Sequence, residues 1–286
     1  MSHTTTPTIL EIGTPIARPD LFHDRPELTT VDIIGDVHGC FDELLSLLAK
    51  LGHPDPERND KGGYPAGMPP LLFVGDLIDR GDRIIDTLDY VMTLCERGHA
   101  YAVIGNHDDR FLRWLMGSDV PIKHGLDRTI AEFQSLPREA QRAMKARLIT
   151  FFHEMPNALR FDNAKAVVVH AAYRPGMKIE QETRKIRSYA MYGPTTGETT
   201  PSGFPVRIDW SRSYRGPEFV VFGHQVYVEP YLTPNAAGID TGCVFGGALT
   251  ALRWPSRELV SVKSREARAA YGGPIDDPNK GIAGEK

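Results

Sequence analysis

With 286 residues, 41% of them apolar, the chain has the material for one large α/β or α+β domain with a proper core. A formal net charge of −4 excludes a protein that coats nucleic acid by bulk charge. The cysteines, Cys40, Cys95 and Cys243, are odd in number and far apart, which argues against a disulfide framework or a cysteine-based zinc site and reads as small buried side chains in a reducing cytoplasm. No signal-peptide core opens the sequence and no apolar run reaches membrane-spanning length.

Residues 1–28 are polar and broken by Pro7, Pro15, Pro19 and Pro26, and read as an arm ordered only in part. Val31 to Ile34 is a short apolar run closed by Gly35, the signature of a buried strand. Phe41, Leu44, Leu45, Leu48 and Leu51 follow at helical spacing, and Gly52 ends that helix. Residues 53–70 carry five prolines and three glycines and form a loop. Leu71 to Val74 is the second strand. Ile84, Ile85, Leu88, Val91, Met92 and Cys95 mark the second helix, and Ala100 to Ile104 the third strand. This βαβαβ start implies parallel strands covered by helices. Residues 108–154 read as mostly helical, 166–169 and 219–222 as buried strands, and 247–254 with 258–262 as a β-rich end. The last twenty or so residues turn polar and Gly/Pro-rich and read as a frayed tail.

Every one of the first strands ends in residues that ligate metals. Asp36 and His38 follow the first, Asp76, Asp79 and Arg80 the second, and Asn106, His107 and Asp108 the third. His170 closes the strand at 166–169 and His224 follows that at 219–222. Sites in open α/β sheets form just beyond the carboxyl ends of strands. Two divalent cations about 3.5–4 Å apart can neutralise a phosphate ester and supply hydroxide at neutral pH. Cations that close need a shared anion, and Asp76 is the candidate bridge. Asp36 and His38 would hold the first ion, and Asn106, His170 and His224 would complete the second. Mixed oxygen and imidazole donors suit Mn, Fe, Co, Ni or Zn better than Ca or Mg. Arg80 offers a planar fork to phosphate oxygens. His107 would protonate the leaving oxygen, with Asp79 or Asp108 orienting its ring. His99, His124 and His153 read as ordinary histidines. A single such motif would be weak evidence; three motifs and two later histidines in order are strong.

Together these motifs resemble the calcineurin-like metallophosphoesterases, in the branch related to phosphoprotein phosphatases and diadenosine tetraphosphatases. The resemblance implies a pair of β-sheets flanked by helices with a dinuclear site between them, over a domain spanning 29–264 and followed by a flexible tail, 265–286. It assigns metal ligation to Asp36, His38, Asp76, Asn106, His170 and His224, phosphate contact to Arg80 and acid catalysis to His107. The stretches 124–126, 192–199, 239–247 and 258–262 are similar to the phosphatase module of bacterial polynucleotide kinase-phosphatases, which works on 2′- and 3′-phosphates of RNA with Mn or Ni. That likeness implies a supporting role for Asp240, steadying a ligand histidine. Two departures stand out: Gly223-His224-Gln225 where Gly-His-Thr is usual, and His170-Ala171-Ala172 where His-Ala-Gly is usual.

Three substrate classes share such a centre: phosphorylated ends of nucleotides or RNA, phosphoserine or phosphothreonine proteins, and dinucleoside polyphosphates. Residues 174–215 hold eight Lys/Arg against four Asp/Glu, a local excess that favours a substrate with several phosphates. The first class is the sequence-based expectation. No obligate protein partner is evident. A scaffold that has lost catalysis would be expected to lose ligands, and all six are present.

Overall fold

A computed structural model describes residues 22–54, 64–177, 184–201 and 203–273. The strand at the heart of the first sheet, β2 (Val31–Ile34), is buried at all four positions. Its apolar residues face both ways, Val31 and Ile33 into one core and Ile34 into another, and the buried Asp32 among them is paired with His53 and Arg253. β3 (Leu71–Phe73) divides in the same way, Leu72 against Leu71 and Phe73. β4 (Ala100–Ala102) lies beside β3, and the three strands run parallel. The helices α1 (Phe41–Leu51) and α2 (Ile84–Glu96) make the crossovers. Gly52, left-handed at φ 88°, closes α1.

Beyond β4 come α3 (Asn106–Leu115), α4 (Leu126–Ser135) and α5 (Arg138–Glu154), in the region expected to be helical. They pack Phe111, Leu112, Phe133, Leu148 and Phe152 into the outer core of the first sheet. Three later strands complete this sheet: β13 (Ala248–Trp254) pairs antiparallel with β2, and β12 (Asp240–Thr241) and β14 (Glu258–Lys263) each pair antiparallel with β13.

The second sheet is built around β6 (Ala166–Val169) and β9 (Phe219–Phe222), which run parallel. Around them lie β1 (Phe22–Arg25), β5 (Ala158–Phe161), β10 (Tyr231–Leu232) and β11 (Ala236–Gly238), in the order β1-β5-β6-β9-β11-β10. Val31, Ile33, Leu72, Val74 and Val103 of the first sheet meet Leu159, Phe161, Val168, Val221 and Ile239 of the second in a shared inner core. Each such side chain contributes on the order of 1.5–3 kcal/mol when fully buried. This is the sandwich flanked by helices that the motifs implied. Its two sets of strand ends open on one place.

Several elements escaped the sequence reading. β1 lies inside the stretch read as an arm and pairs in parallel with β5. The hairpin β7 (Thr195–Thr199) with β8 (Pro205–Arg207) is exposed along β7, and so has no apolar alternation to read. Two short helices flank it, α6 (Arg184–Tyr192) and α7 (Trp210–Ser213). The tail does not fray at once after 264. Ala267 bridges Phe245, and Arg268 grips the buried Glu43 with two 3.0 Å contacts. The rest of the expected tail, 274–286, and residues 1–21 of the expected arm lie outside the described residues. Among the described residues no helix is long and apolar enough to cross a membrane.

Candidate active site

The turns after β2 and β3 are unusual in backbone. His38 (φ 46°), Asp76 (φ 50°), Asp79 (φ 72°) and Arg80 (φ 69°) are all left-handed, as is His224 (φ 66°) after β9. Residues other than glycine seldom sit there, and such strain persists where surrounding bonds fix it. Those bonds are visible. Asp108, at the start of α3, accepts N–H bonds from Asp76 at 2.8 Å, Leu77 at 3.1 Å and Gly105 at 3.0 Å. His38 and Gly39 donate their amides to the Asp76 and Leu77 carbonyls, each at 2.9 Å. The three motifs therefore hold one another in shape.

Two glycines are demanded by space. A Cβ at Gly105 would lie 2.1 Å from Asp76 Oδ1, and one at Gly223 would lie 1.9 Å from Asp36 Oδ1. Ala172, which stands where glycine is usual, is instead accommodated: it is fully buried in the core of β6, β9 and α7.

The six expected ligands converge. His38, Asp76 and His107 bring ligand atoms within 4.8 Å of one another, and so do Asp76, His170 and His224. Asp76 is common to both groups, with Oδ2 3.8 Å from His38 Nε2 and 3.3 Å from His170 Nε2. Asp36 lies between the sheets and accepts the His224 amide on both oxygens, at 3.2 and 3.1 Å. Asn106 Oδ1 is 3.1 Å from His170 Nε2. His38 Nδ1 donates to the Ile78 carbonyl at 2.6 Å and His170 Nδ1 to the Val74 carbonyl at 2.9 Å. These bonds fix the tautomers and turn both Nε2 lone pairs inward.

Such a donor set suits divalent cations. His170 Nε2 and His224 Nδ1 face each other at 3.1 Å, and Asn106 and Asp76 add oxygens to the same spot. Burial raises the Asp36 carboxyl well above its usual range, and the Asp240 and Asp76 carboxylates add to this. Burial alone would raise Asp76 too, but the His170 and His107 rings hold it well below the usual range. Carboxylates massed in a buried place are costly unless a cation joins them. Asp36, His38 and Asp76 on one side and Asp76, Asn106, His170 and His224 on the other could hold one ion each.

His107 reaches the centre from the first turn of α3. Its Nδ1 donates to Asp79 Oδ2 at 2.5 Å, leaving Nε2 to face the centre, 4.0 Å from Asp76 Oδ2. Of the two carboxylates considered as its orienting partner, Asp79 is the one bonded; Asp108 is taken up with backbone amides. Burial pushes the Asp79 carboxyl up to about 6, against the pull of the Thr129 hydroxyl, which donates to its other oxygen at 2.5 Å. Arg80 Nη1 donates to His38 Nε2 at 2.7 Å, so its guanidinium touches the centre. Asp240 differs from expectation: its hydrogen bond is to the Gly242 amide, at 3.0 Å, and its influence falls on Asp36 and not through a bond to a ligand histidine.

Sequence reasoning missed Thr129, fifty residues from the aspartate it holds, and Arg128, whose Nη1 donates to the Arg80 carbonyl at 2.8 Å. No local pattern marks either. It also left a second arginine open among Arg174, Arg184, Arg187, Arg207 and Arg212. Arg187 is paired with Asp109, Arg212 with Asp209, and Arg174 lies over the Tyr189 ring. Arg207 is the one whose charge, after burial, most lowers His224.

Comparison with known proteins agrees with this geometry. Residues 29–228 match the family model for calcineurin-like phosphoesterases. Proteins named bis(5′-nucleosyl)-tetraphosphatase PrpE [asymmetrical] are similar over most of their length. That of Geobacillus sp. (strain WCH70) is 40% identical over 236 residues, 82% of this chain and 94% of the relative. That of Anoxybacillus flavithermus is 41% identical over 233 residues, with the same coverage. A solved structure whose diadenosine tetraphosphatase activity is itself provisional superposes with a TM-score of 0.58 at 27% identity, over 88% of this chain and 99% of its own. A cold-active protein-tyrosine phosphatase of Shewanella, at 15% identity and a TM-score of 0.55 over 86% of this chain and 82% of its own, shares the fold.

Proposed function

The chain belongs to the calcineurin-like phosphoesterase family, whose members hydrolyse phosphate esters at a dinuclear divalent-metal site, and we propose that its substrate is a dinucleoside tetraphosphate, split asymmetrically. The observation that carries this reading is the extent of the likeness to the tetraphosphatases, about 40% identity along 94% of their length. The order of substrates expected from the sequence is thereby reversed. Similarity to a nucleic-acid-end phosphatase rests on short stretches outside the ligands, whereas similarity to the tetraphosphatases runs the length of the domain. The basic excess in 174–215 serves a four-phosphate chain equally well.

An asymmetric split of four phosphates leaves one on one nucleoside and three on the other. When bound, a pair of divalent ions, Mn in this reading, would neutralise the phosphate and lower the pKa of water. The protein's own groups divide the remaining work. Arg80, bonded to His38, and Arg207, whose charge acts on His224, bind phosphate oxygens. Protonated on both nitrogens, His107 hands its Nε2 proton to the departing oxygen, with Asp79 holding the ring by Nδ1 and Thr129 holding Asp79. Asp108 keeps the Asp76 turn in register with α3.

The test is product analysis. Diadenosine tetraphosphate incubated with Mn-loaded protein should yield ATP and AMP in equal amounts. Two molecules of ADP, or turnover slower than that of a 3′-phosphorylated oligonucleotide, would overturn the assignment of substrate.

A further inference from the structure

Arg80 has a second neighbourhood besides the metal-ligand cluster. It lines a cavity of about 440 Å³, within the range of small-molecule sites, with His124, Arg128, Phe204, Phe245 and Tyr271. These residues come from five segments: the turn after β3, the approach to α4 with its first turn, the β7–β8 hairpin, the chain that follows β12 (Asp240–Thr241), and the folded-back tail. Phe245 and Tyr271 meet at 4.6 Å between ring centres, and the Arg80 guanidinium lies 5.2 Å from the Phe245 ring. His124, left-handed at φ 59°, stands 6.4 Å from the Phe204 ring. None of the three aromatics is fully buried.

We infer that this cavity is a nucleoside subsite, which takes one purine base of the substrate between the Phe204, Phe245 and Tyr271 rings and passes its phosphates to Arg80 and Arg128. Two independent features support it. Aromatic faces exposed inside a cavity match flat heteroaromatic rings, and arginine planes add to the stacking. The one side chain shared by cavity and centre is a cation, which is the group needed where a base gives way to a phosphate chain. Phe204 and Tyr271 also explain what the hairpin and the folded-back tail are for: each carries one wall across the opening.

The inference rests on the tetraphosphatase reading for its physiological ligand, so its test avoids turnover. Binding of α,β-methylene-ADP, which carries a base, and of methylenediphosphonate, which does not, would be measured by calorimetry on metal-loaded full-length protein. The nucleotide should bind at least about tenfold more tightly than the diphosphonate, within the range of base–aromatic stacking. That ratio should fall toward one in Phe204→Ala and in Tyr271→Ala, two variants on separate segments, and recover in Phe204→Tyr. A ratio near one in the unaltered protein, or a ratio that survives both alanine variants, overturns the subsite. Failure to cleave diadenosine tetraphosphate would instead overturn the substrate reading and leave this binding result to stand or fall by itself.

Discussion

The two sheets supply the centre in different ways. The first gives it contiguous motifs: Asp36 with His38, Asp76 with Asp79 and Arg80, Asn106 with His107 and Asp108. His38, Asp76, Asp79 and Arg80 lie on left-handed turns, Asn106 to Asp108 open α3, and the motifs are bonded to one another through Asp108 and the His38 and Gly39 amides. The second sheet gives one histidine per strand end: His170 from β6, its ring bonded to the Val74 carbonyl, and His224 from β9, its amide bonded to the Asp36 carboxylate. One half is a mutually braced loop cluster, and the other is a pair of side chains on rigid strands. Asp76 alone belongs to both groups. In the proposed reading, that one carboxylate joins two separately built halves.

The largest effect should come from breaking that join. Asp76→Asn keeps an oxygen for the His107 amide but loses the charge that both halves share. Its activity should fall by more than the roughly 10–100-fold typical of groups behind a ligand, with the fold intact by circular dichroism. Activity near the unaltered level would remove Asp76 from the bridging role. Next comes His107→Ala, in the braced half. It should reduce hydrolysis of alkyl phosphates by about 10²–10⁴-fold and of p-nitrophenyl phosphate far less, because nitrophenolate leaves without a proton. Equal losses on both esters would make His107 a supporter of the metal site.

Thr129→Val tests the bracing one step further out. It removes the hydroxyl that donates to Asp79, and kcat should fall about tenfold, in the range of outer-shell partners, with KM little altered. A change in KM alone would place Thr129 in substrate binding. The smallest effect is expected outside both halves, at Arg207 on the hairpin strand β8. Arg207→Ala should raise KM for a tetraphosphate severalfold, as loss of one exposed phosphate contact does, and leave kcat within about twofold. An unaltered KM would return the second phosphate arginine to the other candidates.

The same difference decides what could be read from the sequence. The braced half was legible because its chemistry is local: Gly35-Asp36-Val37-His38-Gly39 and Gly105-Asn106-His107-Asp108 each sit at the end of an apolar run. β2, β6 and β9 begin and end where that pattern places them, since strands buried on both faces are mostly apolar, and the one buried carboxylate among them, Asp32, is paired with His53 and Arg253. β1 and β5 were missed because their alternation is short, and Arg160 of β5 reaches out to Asp24 of β1. The β7–β8 hairpin was missed because it faces solvent. Thr129, Arg128 and the Phe204, Phe245 and Tyr271 wall share a different reason: their partners are distant in sequence, so nothing local announces them. His124 read as an ordinary histidine on the same ground, yet it lines the same cavity as Arg80.

The shared-carboxylate claim is tested most directly by counting metal. Protein loaded with Mn and freed of excess would be analysed by inductively coupled plasma mass spectrometry, with activity measured on the same samples. Unaltered protein should hold two ions per chain and lose activity with them in chelator. Asp76→Asn should hold at most one, whereas His38→Ala and His224→Ala should each keep the ion of the opposite half. Two ions retained by Asp76→Asn at unaltered affinity, or full activity in chelator, would contradict the account.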